Sequence, residues 1–250
     1  MDVKTWRFNK LLFSFGFLGI ISIIPFVSKL LETHSTQLAI PVFLLVLLTV
    51  MQSSLMLVLM MLIGSVFSSK VGLYAPVIAA YAEGKDPYSI LKSQVIPAVI
   101  GGVLGGLFVL GFMAVLVGYL PEDFIRAAEK LTPPWYSKVI YGGITEEILI
   151  RWGLMSFITW CCYRLTQAKD SVIQSHNYLF AIVLSAFLFG VGHLPVAFAL
   201  SSEVNLALVL YIIFGNAGFG LIAGYLYWKR GLECAIGAHM IAHLVILSFL

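Results

Sequence analysis

The sequence predicts an all-α fold, a polytopic transmembrane helix bundle of about seven to eight spans with a polar site inside the bundle. Three observations carry that reading. Hydrophobic residues make up 60% of the 250 positions and charged residues only 11%, against roughly 25% charged in soluble domains. Mean hydropathy is +0.99. Several apolar runs reach the roughly 20 residues that a helix needs to cross a bilayer, and the alternating ten-residue segments of a membrane barrel are missing.

In chain order, a basic N-terminal stretch, Met1 to Lys10, precedes an apolar run without a small-residue cleavage site, so a retained first span is expected at about 11–27. The polar stretch 32–37 separates it from a second span at 39–67. The interruption Gln52-Ser53-Ser54 there leaves open one tilted helix or two shorter segments. Between Lys70 and Gln94 only the piece Tyr74 to Tyr81 is apolar, which suits a surface or re-entrant helix. A third span, 95–120, carries Gly101, Gly102, Gly105 and Gly106 at a small-residue spacing that lets helices approach closely. A mixed-charge loop, 121–138, ends in Pro133-Pro134-Trp135-Tyr136, with prolines suited to a helix start and aromatics to a membrane interface. Further spans follow at 139–163, from beyond Asn177 to about 200, at 206–228 and at 233–250. No repeat or second domain is evident, so residues 1–250 read as a single integral-membrane domain with its chemistry within 141–243.

The formal charge of +3 is spread over several connections and forms no polybasic patch. This argues for the lipid bilayer as partner and against nucleic acid. Ten Lys and Arg residues fall on the side of the N-terminus, against Lys29, Arg126, Lys130 and Lys138 on the other, which places the N-terminus in the cytoplasm by the positive-inside rule. A multi-pass protein of the cell membrane is expected for a prokaryotic source. Cys161, Cys162 and Cys234 lack the spacing of a metal knuckle or a disulfide framework and read as packing residues. Nothing in the sequence specifies an oligomeric state.

The fourth span breaks the apolar pattern with Glu146, Glu147 and Arg151. An ionisable side chain at bilayer depth costs about 2.5–3.5 kcal/mol on insertion scales, and such groups usually face a bundle interior. Glu147 and Arg151, four apart, share a helical face and can pair. Glu146 is turned about 100° from Glu147 around an α-helix and needs another partner. His34 and His176 are expected in loops, which leaves His193, after Phe189-Gly190-Val191-Gly192, and the pair His239 and His243, whose spacing puts them on one face. Each alone is readily structural, but a carboxylate and three imidazoles on three spans exceed what helix-to-helix ties require.

Taken together, Glu146-Glu147-x-x-x-Arg151, then Phe189-x-x-x-His193, then His239 resemble the ordered motifs of the CAAX-protease and bacteriocin-processing family of intramembrane proteases, which includes Ras-converting-type endopeptidases and immunity-type members. The resemblance covers about 141–243. One departure is visible: the last motif commonly reads His-x-x-x-Asn, and here it reads His239-x-x-x-His243.

The resemblance implies hydrolysis of a peptide bond within the membrane, on prenylated CAAX-type tails or on peptide and bacteriocin precursors. Water would be the nucleophile, with Glu146 and His193 holding and deprotonating it and His239 and His243 donating to the oxyanion. Glu147, Arg151 and Phe189 would support these catalytic groups. A metal version stays open beside it, because Glu146, His193, His239 and His243 could also supply a Zn²⁺ site if their helices converge. So does a reading from another class, a non-catalytic immunity or peptide-binding protein that uses the same polar cavity.

Overall fold

The computed structural model describes residues 3–34, 40–168 and 171–249, and every regular element among them is helical. The polar stretch from 35 to 37, the start of the second span at 39, and Leu250 lie outside the described residues.

The first span divides into α1 (Val3–Ser22) and α2 (Ile24–His34). Pro25 sits in the first turn of α2, where its missing N–H costs nothing, and it ends the continuous ladder of α1. α3 (Val42–Phe67) runs unbroken through Gln52-Ser53-Ser54. Two of its hydroxyls are satisfied within the helix, Ser54 Oγ donating to the Val50 carbonyl at 2.7 Å and Thr49 Oγ1 to that of Leu45 at 2.9 Å. The expected short helix is α4 (Pro76–Ala82), and α5 (Tyr88–Leu116) follows with the four glycines buried on it.

The segment expected as a loop at 121–138 holds a nine-residue helix instead, α6 (Glu122–Lys130). Acidic Glu122 and Asp123 lie in its first turn and Lys130 in its last, complementing the helix dipole, and Phe124 is buried beneath it. A continuous helical run then starts at α7 (Trp135–Ser137), passes through two π-helical segments, Lys138–Glu146 and Ile148–Met155, and ends as α8 (Ser156–Thr166). The remainder is α9 (Ser175–Gly192), α10 (Leu194–Ala199), α11 (Leu206–Arg230) and α12 (Leu232–Leu247).

Five helical lengths among the described residues are long and apolar enough to cross a membrane: Lys4–Thr33, Val42–Phe67, Tyr88–Tyr119, Ser175–Ala199 and Leu206–Arg230. The expected count of seven to eight is therefore not reached by length and composition. The run bearing Glu146 is charged and wound partly as π-helix, and α12 has only 16 residues.

α12 sits at the centre. On one side it lies against α5, where a Cβ added at Gly102 would come within 2.6 Å of the Ala238 carbonyl oxygen and one at Gly106 within 2.8 Å of Val245 Cβ. On the other it meets the first π segment, where a side chain at Gly143 would collide with Met240. Helices can close to this distance only through residues without side chains.

Candidate active site

The acidic pair lies at the junction of the two π segments, where wide turns often mark functional positions. Glu147 and Arg151 have no exposed side-chain surface, and their Oε2 and Nε lie 3.2 Å apart. The pair is charged contact without hydrogen-bond alignment, and Arg151 is held further by donating Nη2 to the Gly220 carbonyl at 3.1 Å and by the Phe189 ring, 5.1 Å from Cζ. The other oxygen of Glu147 accepts from His239 Nδ1 at 2.8 Å. Spacing along one helix could indicate Arg151; the bond to α12 could not be read from it.

Glu146 points elsewhere, as its rotation from Glu147 requires. Its Oε1 lies 3.7 Å from His193 Nε2, and the two side chains keep 15% and 35% of their surface exposed, so this pair can be reached while Glu147 and Arg151 cannot. His193 is placed by the break between α9 and α10, ahead of Pro195. Its Nδ1 is 2.8 Å from the Phe189 carbonyl. A carbonyl can only accept, so Nδ1 carries the hydrogen and a neutral ring turns its Nε2 lone pair towards Glu146. At 3.7 Å the two are beyond direct hydrogen bonding. Gly190 serves close packing, since a side chain there would meet the Ile213 backbone, whereas Gly192 has open space around it.

His239 and His243 face the same way, with rings stacked at 4.9 Å and 14°. Phe219 packs on His239 at 4.3 Å, and the Phe189 ring stands edge-on to both His193 and His239, at 4.7 and 6.2 Å. Gly142 completes the arrangement. A side chain there would collide with His243 Nε2, and its Cβ would lie 3.6 Å from His239 Nε2. Both ring nitrogens therefore look onto a bare stretch of backbone four residues before Glu146. The structure thus brings together Glu146 with His193, and Glu147 with His239, Arg151 and Phe189. His34 and His176 are not loop residues: they end α2 and begin α9.

Residues 128–245 match the family model described as type II CAAX prenyl endopeptidase Rce1-like. Over this segment, a little under half of the chain, the protein is similar to the Rce1-like family. The segment runs from within α6 to the end of α12 and contains every residue of the arrangement above, in agreement with the kinship that the motif order indicated. The family suggests an intramembrane endopeptidase of the CAAX type. No curated protein and no solved structure matches the chain.

The expected zinc ligands of the Rce1-like segment do not fit a metal centre as arranged. Among the described residues no three His, Cys, Asp or Glu side chains are grouped closely enough to hold an ion together. No step below passes through a metal. Sequence reasoning missed Asn216, which shares a cavity with both histidines of α12. Its signal was an amide in the middle of an otherwise apolar 25-residue helix.

Proposed function

We propose that the protein is an intramembrane endopeptidase that hydrolyses a peptide bond with a water held between Glu146 and His193. The observation that carries this reading is the placement of His193: its Nδ1 lies 2.8 Å from the Phe189 carbonyl and its Nε2 lies 3.7 Å from the Glu146 carboxylate, so that in the neutral ring both of the latter can accept from one water. Glu146 removes the proton as the water oxygen attacks the carbonyl carbon. His239, fixed by Glu147 with Nδ1–H bound, offers a free Nε2 that takes this proton over from Glu146 and gives it to the leaving nitrogen as the C–N bond breaks, as a carboxylate-oriented histidine does in hydrolytic triads. His243 stands where the family usually places Asn, and its ring N–H stabilises the oxyanion.

The family description makes a prenylated C-terminal tail the first substrate to test, ahead of membrane peptide or bacteriocin precursors. The purified protein in lipid nanodiscs, given a farnesylated CAAX peptide and its unprenylated counterpart, is expected to release a C-terminal fragment detectable by mass spectrometry. Glu146→Ala and His193→Ala are expected to abolish that release while eluting as folded protein. Wild-type turnover by either variant overturns the assignment. A cellular effect that survives Glu146→Gln transfers the reading to a peptide-binding or immunity protein.

A further inference from the structure

The outer face of α3 carries an amide at a depth where lipid would otherwise meet it. Of the 26 residues of this helix only Leu57, Met61 and Gly64 are buried. They mark the side that meets the second π segment, where a side chain at Gly64 would collide with Trp152, and Trp152 Nε1 donates to the Met61 carbonyl at 3.2 Å. The opposite side faces out of the bundle, and Gln52 is exposed on it. Gln52 is ten residues from Val42 and fifteen from Phe67, so at 1.5 Å per residue it lies about 15 Å and about 22 Å from the two helix ends. That is the middle of a hydrocarbon core ~30 Å thick, and the side chain is too short to bring its amide to either interface.

The nearby Thr49 and Ser54 return their hydroxyls to carbonyls of their own helix, whereas Gln52 makes no side-chain hydrogen bond among the described residues. An amide without a partner in hydrocarbon is costly, and polar side chains at that depth bond across to another helix. The residues around it form a regular series. Stepping outward from Gln52 by alternating intervals of three and four reaches Leu45, Leu48, Leu55, Leu59, Leu62 and Val66. Leu48 and Leu55 are 57% and 71% exposed, and Leu59, Leu62 and Val66 lie between 47% and 50%. Such a series is the seam of a left-handed helix pair, and a single polar residue within it fixes register and partner number. On a helix this apolar, other series of the same spacing can be drawn; the structure selects this one because it is the face left outside the bundle.

We propose that two copies of this chain pair in parallel through α3, with Gln52 of one hydrogen-bonded to Gln52 of the partner subunit. A carboxamide both donates and accepts, so it is complementary to itself across a two-fold axis. Depth selects the same partner. Two copies inserted in one direction, related by an axis along the membrane normal, bring Gln52 to the same level in both, whereas an unrelated helix would need a polar residue of its own there. None of the reacting groups lies on α3, and the proposal stands independently of the endopeptidase reading.

The test uses the whole protein, labelled in separate batches with a donor or an acceptor fluorophore on a terminal tag and reconstituted together into phosphatidylcholine vesicles over a series of protein-to-lipid ratios. Energy transfer is expected to follow a monomer–dimer curve. Gln52→Leu should weaken the dimer by roughly 3–30-fold, the range for a polar contact between helices in lipid, and Gln52→Asn, which keeps the amide, by less. Leu55→Ala should also weaken it, whereas Leu47→Ala, 51% exposed on another face of α3, should not. Oxidative cross-linking in membranes supplies the geometry. In a protein carrying Cys161→Ala, Cys162→Ala and Cys234→Ala, Leu48→Cys and Leu55→Cys are expected to give the homodimer and Leu47→Cys the monomer. Energy transfer no higher than random mixing at every ratio overturns the proposal. So does a dimer that Gln52→Leu leaves unchanged, or one cross-linked through Leu47→Cys and not through the seam. A Leu55→Cys adduct with a different membrane protein, formed in cells in place of the homodimer, assigns the face to that protein and overturns the proposal as well.

Discussion

A carboxylate with no exposed surface must be balanced inside the fold, and Glu147 is balanced twice, by Arg151 at 3.2 Å and by His239 at 2.8 Å. Removing one member of a buried pair leaves the other charge uncompensated, at a cost of about 3–5 kcal/mol. Arg151→Ala should therefore lower the thermal midpoint sharply, measurable by size-exclusion chromatography after heating. Glu146 should behave in the opposite way, because no charged group is paired with it as Arg151 is with Glu147. Glu146→Ala should lose about 10²–10⁴-fold in cleavage rate, the usual worth of a positioned base, with a midpoint near that of wild type. The division between these neighbours was legible in the sequence: a four-residue interval pairs Glu147 with Arg151, and the turn of a helix sends Glu146 away. The bond from Glu147 to His239 was not, since 92 residues separate them and only the docking of α12 brings them into reach. That docking is what the proposed role of His239 as proton carrier rests on.

At the scale of elements, α6 illustrates what hydropathy overlooks. Glu122 to Lys130 is too polar to register as a span and short enough to pass for a loop, yet its i,i+4 charges and dipole-matched ends are helix signals. The helix is tied down by Asp123, which accepts hydrogen bonds from the Ser202 backbone N–H and hydroxyl, each at 2.6 Å, and from the Ser201 hydroxyl at 3.0 Å. The tie closes α6 against the connection between α10 and α11, next to Phe124 at the cavity edge. The Ser202 hydroxyl and amide, then Ser201 and the Phe124 amide, hold the Asp123 carboxyl well below the usual carboxylate range. A lowered value means that the tie is fully present above the ordinary carboxylate pKa of ~3.9 and is lost as pH falls through the folded value. Hydrogen exchange at 201–204 should accordingly stay flat from neutral pH down to mildly acidic conditions, after correction for intrinsic rates, and Asp123→Asn should accelerate it throughout. The π-helical winding around Glu146 and Glu147 gave no comparable signal in the sequence.

For the molecule as a whole, the site depends on the height at which α12 settles between α5 and the first π segment, since α12 carries both His239 and His243 and has only 16 residues to hold them. The apolar spans on either side were evident from composition, and the glycine series 101, 102, 105 and 106 indicated close approach. What the series could not show was its division, with Gly101 and Gly105 turned to Leu226 and Phe219 of α11, and Gly102 and Gly106 turned to α12. The two faces should therefore fail differently. A larger side chain at Gly102 meets the Ala238 carbonyl, one residue before His239, and backbone cannot swing aside as a side-chain end can. Gly102→Val should cost about 1–3 kcal/mol of stability as an overpacked contact and should also displace His239 from Glu147. Gly101→Ala meets side-chain atoms alone, the flexible end of Leu226 at 2.6 Å and Ile222 Cγ2 at 3.3 Å, and should lose stability with a smaller loss of cleavage. Comparing thermal midpoint and cleavage rate for the two variants, with Gly118→Ala in open space as reference, tests whether α12 positions the histidines. Equal losses of cleavage at equal stability would mean that the α5–α12 contact holds the bundle together without setting the geometry of the site.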